Sequence, residues 1–412
     1  MAEPVAPGEP LRDPAELAEL ATHPGLCASC VHLRLLRSPR STFARCAKAE
    51  VDARFPRYPR LPVVACSGHH VAAAPAEAPA PRRLRDDDED APAPLLHITN
   101  GDSVLHGFRG GGVPGEYLSW ADALHDGPVP ATATLEELSE VRARALAAFG
   151  WGDYAGLRAA FARRDEALSR RGEHAEVVLW FEHDLFDQLQ LLQLLDWFAR
   201  HGTGGARLSL VQVGAFPGVE PFRGLGQLSG AQLASLLPAR QPVTARQLSI
   251  AAEAWADVRA PEPTGLAARA ARACPELPFL AAALRRLVEE YPSTREGLAR
   301  SERQVLQAIA GGAHERRAIY LRASAAEAVP WGDASVFLRL DTLTAAQVPA
   351  LERASSGSHR LTALGRRLLA GEEDWVRTSG GLDRWVGGVH LRGTAMRWRW
   401  DEGAATVVAT AG

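Results

Sequence analysis

The chain has 412 residues, 46% of them hydrophobic and 23% charged, a composition typical of globular proteins that bury a large core. Its 46 basic and 49 acidic residues leave a formal net charge of −3, so overall charge gives no argument for binding nucleic acid or a membrane surface. Lys48 is the only lysine, which excludes a phosphate-loop lysine and a Schiff-base lysine from the rest of the chain.

The N-terminal residues are acidic and rich in proline, which is unlike a secretion signal. No apolar run reaches the ~18 residues that a membrane span needs. We therefore expect a cytoplasmic protein with no membrane partner. In that reducing compartment, clustered cysteines are typical of metal sites rather than of disulfides.

Four of the five cysteines lie in the first 70 residues, and two of them form a Cys-x-x-Cys pair. Such a pair places two thiolates on one tight turn, which is half of a tetrahedral zinc site. We predict a structural zinc module over residues 1–70 with the ligands Cys27, Cys30, Cys46 and Cys66. An iron–sulfur cluster on the same thiolates and a reduced cysteine cluster without metal are alternatives. His69 or His70 could also replace one cysteine as a ligand.

Residues 71–94 are rich in alanine and proline and carry a block of charged residues from Arg82 to Asp90. A segment of this composition buries too little apolar surface to offset the entropy cost of ordering it. It is therefore predicted to be a disordered linker between the cysteine module and a main body that begins at Leu95.

Strands and helices alternate from residue 95 to about residue 229, which is the pattern of a parallel sheet with crossover helices. Short apolar runs predict the strands, and helical periodicity predicts the segments between them. The predicted strands are residues 95–99, 116–120, 176–181 and 206–213. Residues 135–170 are predicted to be helical through the segments LEELSEVRARALAAF and GLRAAFARRDEALSRR, and residues 185–202 to form an amphipathic helix. We therefore predict an α/β fold in which residues 95–229 form a Rossmann-like domain.

Dense polar sequence follows three of these four strands. In an open parallel sheet, ligands bind beyond the carboxyl ends of the strands, so these polar groups are expected to face one crevice. The catalytic candidates are Asp102, Ser103, Asp126, His183 and Asp184. The ligand-binding candidates are Asn100, Gly101, His125, Glu182, Asp187 and Gln188.

Ser103 has three interpretations. It could be a nucleophile at a strand-to-helix turn, as in the Gly-Asp-Ser block of the SGNH esterases. It could instead cap the next helix, either with a phosphate or carboxylate held by the helix N–H groups or with no ligand at all. Those esterases carry an Asp-x-x-His block near the end of the catalytic domain. Here that spacing runs from Asp122 to His125, soon after the second strand, which counts against the esterase interpretation.

Two histidines, His125 and His183, each precede an aspartate directly. Adjacent residues of a strand or a helix point apart, so neither histidine is predicted to form a dyad with its neighbour. His183 and Asp187 would share one face of a helix, and with the carboxylates around them they could ligate Mg²⁺, Mn²⁺ or Zn²⁺. Acids at a helix N-terminus are also favoured by the helix dipole without any ligand.

Residues 230–401 are predicted to form a helical to winged-helix-like domain. The pattern is helical from residue 230 to about residue 310. Further helices and then a β-hairpin at residues 386–401 are expected to follow. Residues 295–400 contain 16 arginines and 11 acids, which is a mild excess of positive charge.

Three segments resemble the bacterial family called domain of unknown function 1835, namely LHITNGDSVLHGF, LSWADALHDGPVP and VVLWFEHDLFDQLQLLQLL. The tail segments LPFLAAALRRLVEEYPSTREGLARSERQVLQAI, LTALGRRLLAGEEDW and LDRWVGGVHLRG resemble the C-terminal region found in members of that family. The cysteine module resembles small bacterial cysteine proteins. The family resemblance covers about residues 95–401. It implies domain limits and the importance of the three strand-end motifs, and it implies no catalytic assignment.

Three functions are consistent with these observations. The first is a protein that binds a small anionic, phosphate-type ligand in the crevice and acts as a hydrolase or transferase. The second is a regulator that binds DNA or RNA through the winged-helix-like region and the cysteine module, where residues 27–66 hold eight basic and two acidic side chains. The third is a scaffold whose α/β domain has no catalytic activity.

Overall fold

The computed structural model describes residues 26–38, 41–50, 52, 54–56, 58–59, 63, 66–70, 94–325, 327 and 331–410. The predicted linker, apart from Pro94, lies outside the described residues. The chain divides into two compact units, Met1–Ala91 and Pro92–Gly412. Among the described helices, none combines the length and the apolar character needed to cross a membrane.

The first unit is built on an antiparallel hairpin of β1 (Leu33–Ser38) and β2 (Ser41–Cys46), with Leu33 opposite Cys46. Short 3₁₀ helices, Leu26–Ser29 and Ala47–Glu50, flank the hairpin on either side. Both 3₁₀ helices therefore lie near the same end of the hairpin, because Leu33 and Cys46 face each other there.

The second unit contains a five-stranded sheet whose first four strands in space are parallel. The last strand is a short antiparallel addition at the edge. The strands are β3 (Leu95–Thr99), β4 (Glu116–Ser119), β5 (Glu176–Glu182), β6 (Arg207–Val213) and β7 (Gln241–Pro242), in the spatial order β4-β3-β5-β6-β7. The four predicted strands and their parallel arrangement are thus confirmed.

Thirteen α-helices belong to the described part of this unit. Before residue 240 they are α1 (Asp102–Gly111), α2 (Leu135–Ala148), α3 (Tyr154–Ser169), α4 (Leu185–His201) and α5 (Gly230–Leu236). After it they are α6 (Ala245–Arg259), α7 (Thr264–Ala270), α8 (Leu280–Val288), α9 (Arg300–Ala310), α10 (Arg316–Ser324), α11 (Asp333–Ala345), α12 (Ala363–Ala370) and α13 (Trp375–Thr378). The protein is therefore a mixed α/β protein.

Helices cover both faces of the sheet, and β5 shows why. All seven residues of β5 are buried, and successive side chains point to opposite faces. Leu179 contributes to a core with α4 and α6, whereas Trp180 contributes to a second core with α1 and α5. The interior of this strand, residues 177–181, is apolar on both faces, which is typical of a strand in a parallel sheet covered on both sides.

The first of these two cores continues into the C-terminal region. Leu191 of α4, Trp255 of α6, Leu306 of α9 and Leu391 near the C-terminus belong to the same buried apolar cluster. Residues on both sides of the predicted division at residue 230 thus share one core inside one compact unit. The division into separate domains stays a prediction.

Three hairpins close the chain, and their pairing corrects the predicted hairpin at residues 386–401. The hairpins are β8 (Leu351–Arg353) with β9 (His359–Leu361), β10 (Leu382–Val386) with β11 (Val389–Gly393), and β12 (Trp398–Asp401) with β13 (Thr406–Ala409). The predicted segment holds β11 and β12, which pair with other strands. Gly387, with φ of +58°, and Gly388 form a tight turn before β11, and a Gly-Gly pair favours such a hairpin turn.

Candidate ligand-binding site

The segments that follow β3 and β5 meet at one edge of the sheet, as the predicted parallel arrangement requires. Thr99 at the end of β3 is opposite Trp180 of β5, so the residues after both strands emerge at one edge. Asn100 Nδ2 donates a hydrogen bond of 2.6 Å to Asp187 Oδ2 in the first turn of α4. This bond joins two of the three strand-end motifs directly.

Glu182, Asp184 and Asp187 form a compact carboxyl cluster at this edge, with one oxygen of each within 4.8 Å of the others. Backbone N–H groups hold each carboxyl in place. Asp184 caps α4 by accepting from Asp187 N at 2.7 Å, and Asp187 Oδ1 accepts from Glu182 N at 2.7 Å. Leu225 N donates to Glu182 Oε1 at 2.5 Å, which ties the cluster to the loop before α5.

Burial raises the pKa of all three carboxyl groups, because the ionised form loses its hydration. The pKa of Glu182 rises to about 8 through burial and the neighbouring charge of Asp184. For Asp187, which is fully buried, the charges of Asp184 and Glu182 raise the pKa further. The cluster can lower its free energy by keeping protons at neutral pH or by holding a divalent cation. Among the described residues, no other group of three His, Cys, Asp or Glu side chains meets this spacing.

Gln188 is a buried supporting residue rather than a residue of the cavity wall. Its Nε2 donates to the backbone oxygen of Glu182 at 2.5 Å, and its Oε1 accepts from Gln212 Nε2 at 3.3 Å. This predicted ligand-binding residue therefore links the ends of β5 and β6.

A cavity of about 930 Å³ lies beside the carboxyl cluster, between the strand ends and the C-terminal helices. Its size is at the upper end of the range for small-molecule sites. Sequence candidates His125, His183 and Asp184 line it. The other residues that line it include Trp151, Leu185, Phe186, Arg223, Arg285, Arg286, Glu289, Arg300, Tyr320, Glu327, Trp331 and Ser335.

The loop after β4 brings His125 to the cavity, and Arg142 of α2 fixes this loop. The Arg142 guanidinium is fully buried, forms an ion pair of 2.9 Å with Asp122, and donates to the backbone oxygens of Ala123 and Asp126. One arginine thus satisfies most of the loop's inward polar groups, as buried backbone requires.

The structure corrects the prediction that His125 and Asp126 point apart. His125 Nε2 lies 3.3 Å from Asp126 Oδ2, an ion-pair distance, and forms a hydrogen bond of 3.0 Å with Ser335 Oγ. The two residues lie in a turn that ends at Gly127 with φ of +79°, so the alternation of a strand does not apply. Ser335 and Asp126 approach the same ring nitrogen, which is not the arrangement of a nucleophilic serine triad.

The environment of His125 leaves one ring nitrogen free to accept a proton. His125 is 6% exposed, and burial lowers its pKa, so the ring is neutral at pH 7. Burial alone would raise the pKa of Asp126, but Arg339 at 2.5 Å and His125 outweigh it and lower that pKa. The carboxylate favours the tautomer with its proton on Nε2. Nδ1 then carries the lone pair; this atom is buried and has no hydrogen-bond partner among the described residues.

Four arginines line the cavity, and they fall into two pairs. Arg286 and Arg300 are neutralised, since both form 2.8 Å ion pairs with Glu327. Arg223 and Arg285 are exposed, and neither forms an ion pair with a described residue. These two guanidinium groups are therefore available to an anion.

The remaining candidates lie at the start of α1 and in the loop after β4. Asp102 and Ser103 begin α1 directly after Asn100 and Gly101, but their side chains lie outside the described part of the structure. A Cβ at Gly101 would meet no atom within 4 Å, so the backbone there is open to approach. Asp126 is buried in its ion pair with Arg339 and does not line the cavity.

Sequence analysis missed the arginines, Trp331 and Ser335 of the cavity wall. Arg223 comes from a loop after β6 and the others from helices and a loop beyond residue 280, and no local pattern marks them.

The four predicted zinc ligands line one small cavity in the first unit. All four are free cysteines of intermediate burial. Burial raises the pKa of Cys27 to about 11, and the neighbouring thiol groups of Cys30, Cys46 and Cys66 raise it as well.

No protein-family model matches the chain, and no curated protein matches it. The resemblance to the family called domain of unknown function 1835 therefore stays a prediction.

Proposed function

We propose that the protein binds a small anionic, phosphate-type ligand in the cavity beyond the strand ends. The observation that carries this proposal is the pair of exposed arginines, Arg223 and Arg285, in a cavity large enough for a small molecule. A guanidinium group donates two parallel hydrogen bonds to a phosphate, and it stays charged at any physiological pH. Two unpaired guanidinium groups in one concave site favour an anion over a neutral ligand.

The reaction class that we propose is hydrolysis or group transfer, with His125 as the general base. Its ring is neutral, Nε2 forms a hydrogen bond with Ser335 Oγ and lies 3.3 Å from Asp126 Oδ2, and the buried Nδ1 has no hydrogen-bond partner among the described residues. A positioned neutral histidine can accept a proton from water or from a hydroxyl group. The carboxyl cluster at Asp184 is where a divalent cation could be held next to the ligand.

At the level of the fold, we propose a Rossmann-like arrangement for residues 95–229 in a cytoplasmic protein. Its support is the parallel strand order and the coverage of both sheet faces by helices. For the C-terminal region we propose a winged-helix-like arrangement of α9, α10 and α11 with the hairpin β8–β9. Its support is the order of three mutually packed helices followed by a hairpin.

Calorimetric titration with inorganic phosphate and pyrophosphate tests the proposal. We expect pyrophosphate to bind, and we expect Arg285→Ala to weaken binding about tenfold or more. A hydrogen bond between charged groups contributes ~1.5–3 kcal/mol, and 1.4 kcal/mol corresponds to a factor of ten. Arg163→Ala is the matched control, because Arg163 is an exposed arginine that does not line the cavity.

Phosphate release from pyrophosphate, followed in the same samples, tests the role of His125. We expect His125→Gln to lower the rate of release by about a hundredfold, the typical loss for a general base, while pyrophosphate still binds. Absence of binding by either anion in the wild-type chain would refute the proposal. Equal weakening in Arg285→Ala and Arg163→Ala would also refute it, because the effect would then be unspecific.

For the alternative function, a nucleic-acid-binding regulator, the only structural support is the order of three helices followed by a hairpin in the C-terminal region. The third helix of that arrangement, α11, exposes Asp333 and Asp341, and its Arg339, whose side chain is 11% exposed, forms an ion pair with Asp126. A helix that enters a DNA groove needs positive charge toward the phosphates. The charge of α11 therefore counts against this use of the region.

A further inference from the structure

The described residues of the first unit form only a small apolar core. Among its described residues, the buried cluster consists of Leu33 and Ala44, with Cys27 and Leu35 packed against it. Two buried apolar side chains contribute only a few kcal/mol, at ~1.5–3 kcal/mol for a large one. An apolar core this small usually needs the support of disulfides or a metal, and all the cysteines here are free thiols.

Backbone hydrogen bonds bring three separated cysteine-bearing segments together. Cys30 N donates to Cys27 O at 3.1 Å, which makes the Cys-x-x-Cys segment a tight turn. His69 N donates to Cys66 O at 3.2 Å, so the last cysteine also begins a turn. Val31 N donates to His70 O at 2.9 Å, and this bond joins the two turns.

The third segment is the end of β2, where Cys46 lies. Ala47 N donates to His32 O at 2.8 Å, next to the first turn. Cys46 is also opposite Leu33 in the hairpin. The backbone therefore places all four cysteines around one point, although 39 positions separate the first from the last in the sequence.

At that point lies a cavity of about 20 Å³, and all four cysteines line it. Its volume is enough for about one water molecule and suits a single ion, whereas an iron–sulfur cluster of four iron atoms needs far more room. Arg45 and Lys48 line the same cavity. Their positive charges would offset the two negative charges left over when four thiolates surround one divalent cation.

We propose that Cys27, Cys30, Cys46 and Cys66 together bind one structural Zn²⁺ ion in this cavity. Four thiolates in a closed set are the usual donors of a structural zinc site, and they leave no position for a substrate. No three of the four sulfur atoms lie within 4.8 Å of one another in the structure. Zinc–sulfur bonds of ~2.3 Å require sulfur atoms ~3.8 Å apart, so the ion would draw the turns together. Folding of this unit is then coupled to the metal.

The test uses the full-length chain, purified without chelator under reducing conditions. Elemental analysis should give one Zn²⁺ per chain for the wild type and for Cys274→Ser, the matched control with the fifth cysteine removed. Cys46→Ser should lose most of the zinc, since three thiolates remain. Zinc retained in full by Cys46→Ser would place the ion elsewhere and would overturn the proposal.

A second measurement on the unaltered protein does not depend on whether Cys46→Ser folds. A thiol reagent should modify Cys274 alone at first, and all five cysteines after a chelator is added, because zinc-bound thiolates react slowly. Equal reactivity of all five thiols with and without chelator would overturn the proposal. So would iron in place of zinc, with the visible absorption of an iron–sulfur cluster.

Discussion

Glu182 and Glu176 are buried carboxyl groups at opposite ends of the same strand, and their surroundings shift their pKa values in opposite directions. Arg240 donates to Glu176 at 2.7 Å and lowers its pKa to about 2, against the cost of burial. Burial and Asp184 raise the pKa of Glu182 to about 8. The end of β5 that carries the carboxyl cluster is thus the end without a neutralising arginine.

This difference predicts how stability depends on pH. The folded protein binds the Glu182 proton more tightly than the unfolded chain does, whose pKa is 4.5. The stabilisation is therefore complete below about pH 4.5 and is lost as the pH rises through about 8. Glu182→Gln removes this titration, so the melting temperature should fall less between about pH 5 and 8 than in the wild type. Thermal denaturation across that range measures the effect.

Glu176→Gln is the matched control, because Glu176 is already ionised throughout that range. It should lower the melting temperature at every pH without changing the slope. A melting temperature that falls as steeply in Glu182→Gln as in the wild type would contradict the predicted pKa of Glu182.

The site candidates that sequence analysis found share one property. They lie at the ends of apolar strands or in the segments that follow those strands, so their position near the sheet edge follows from parallel pairing. The contact between His125 and Asp126 was predicted wrongly, because its geometry depends on a turn that Arg142 fixes from α2. Arg223 and Arg285 could not be predicted, since an exposed arginine in a loop or helix has no sequence signal for the cavity it faces.

At the scale of elements, α1 and α5 cover one sheet face, and glycines permit their close contact. A Cβ at Gly230 would lie 2.3 Å from Gly111 N and 2.6 Å from Gly107 O, both backbone atoms. No side-chain rotation can relieve such a clash. The close approach of these helices therefore requires glycine at position 230.

Gly230→Ala should destabilise the protein by ~1–3 kcal/mol, the usual cost of overpacking. Gly403→Ala is the control, because its nearest contact is the Asp401 side chain at an ordinary 3.4 Å. The control should change stability by less than ~0.5 kcal/mol. Chemical denaturation of both variants measures these values, and equal stability of the two would mean that α1 and α5 are not in close contact.

Strands and long helices were predicted well because each depends on a local pattern. The helix predicted at residues 185–202 ends in the structure at His201 with Gly202 as its C-cap, as such a glycine indicates. The last hairpins were predicted wrongly because pairing partners are not local. Residues 386–401 show the residue alternation of β-strands, but that pattern does not indicate that β12 pairs with β13, the next strand along the chain.

For the whole molecule, the shared core predicts how the second unit unfolds. α4 packs against α6, and both belong to the buried cluster that continues to Leu391. A fragment of residues 94–410 should therefore unfold in one cooperative transition by calorimetry, with equal calorimetric and van't Hoff enthalpies. A fragment of residues 94–229 should not fold, since it would expose the apolar face of α4.

Two separate transitions in the longer fragment would instead support a domain division near residue 230. A folded shorter fragment would support the same division. Either result would mean that the contacts between α4 and α6 contribute little to the stability of the sheet.

The amino-acid sequence was sufficient to predict the α/β class, the four parallel strands, the polar strand ends and the clustered cysteines. These features depend on hydrophobic periodicity, composition and residue spacing, which are local properties of a chain. Three features depended on the folded chain: the cavity wall of Arg223 and Arg285, the contact of His125 with Asp126 and Ser335, and the single core shared across residue 230. Each joins residues that are distant in sequence or sit in irregular turns. Packing fixes such contacts, and local preferences do not encode them.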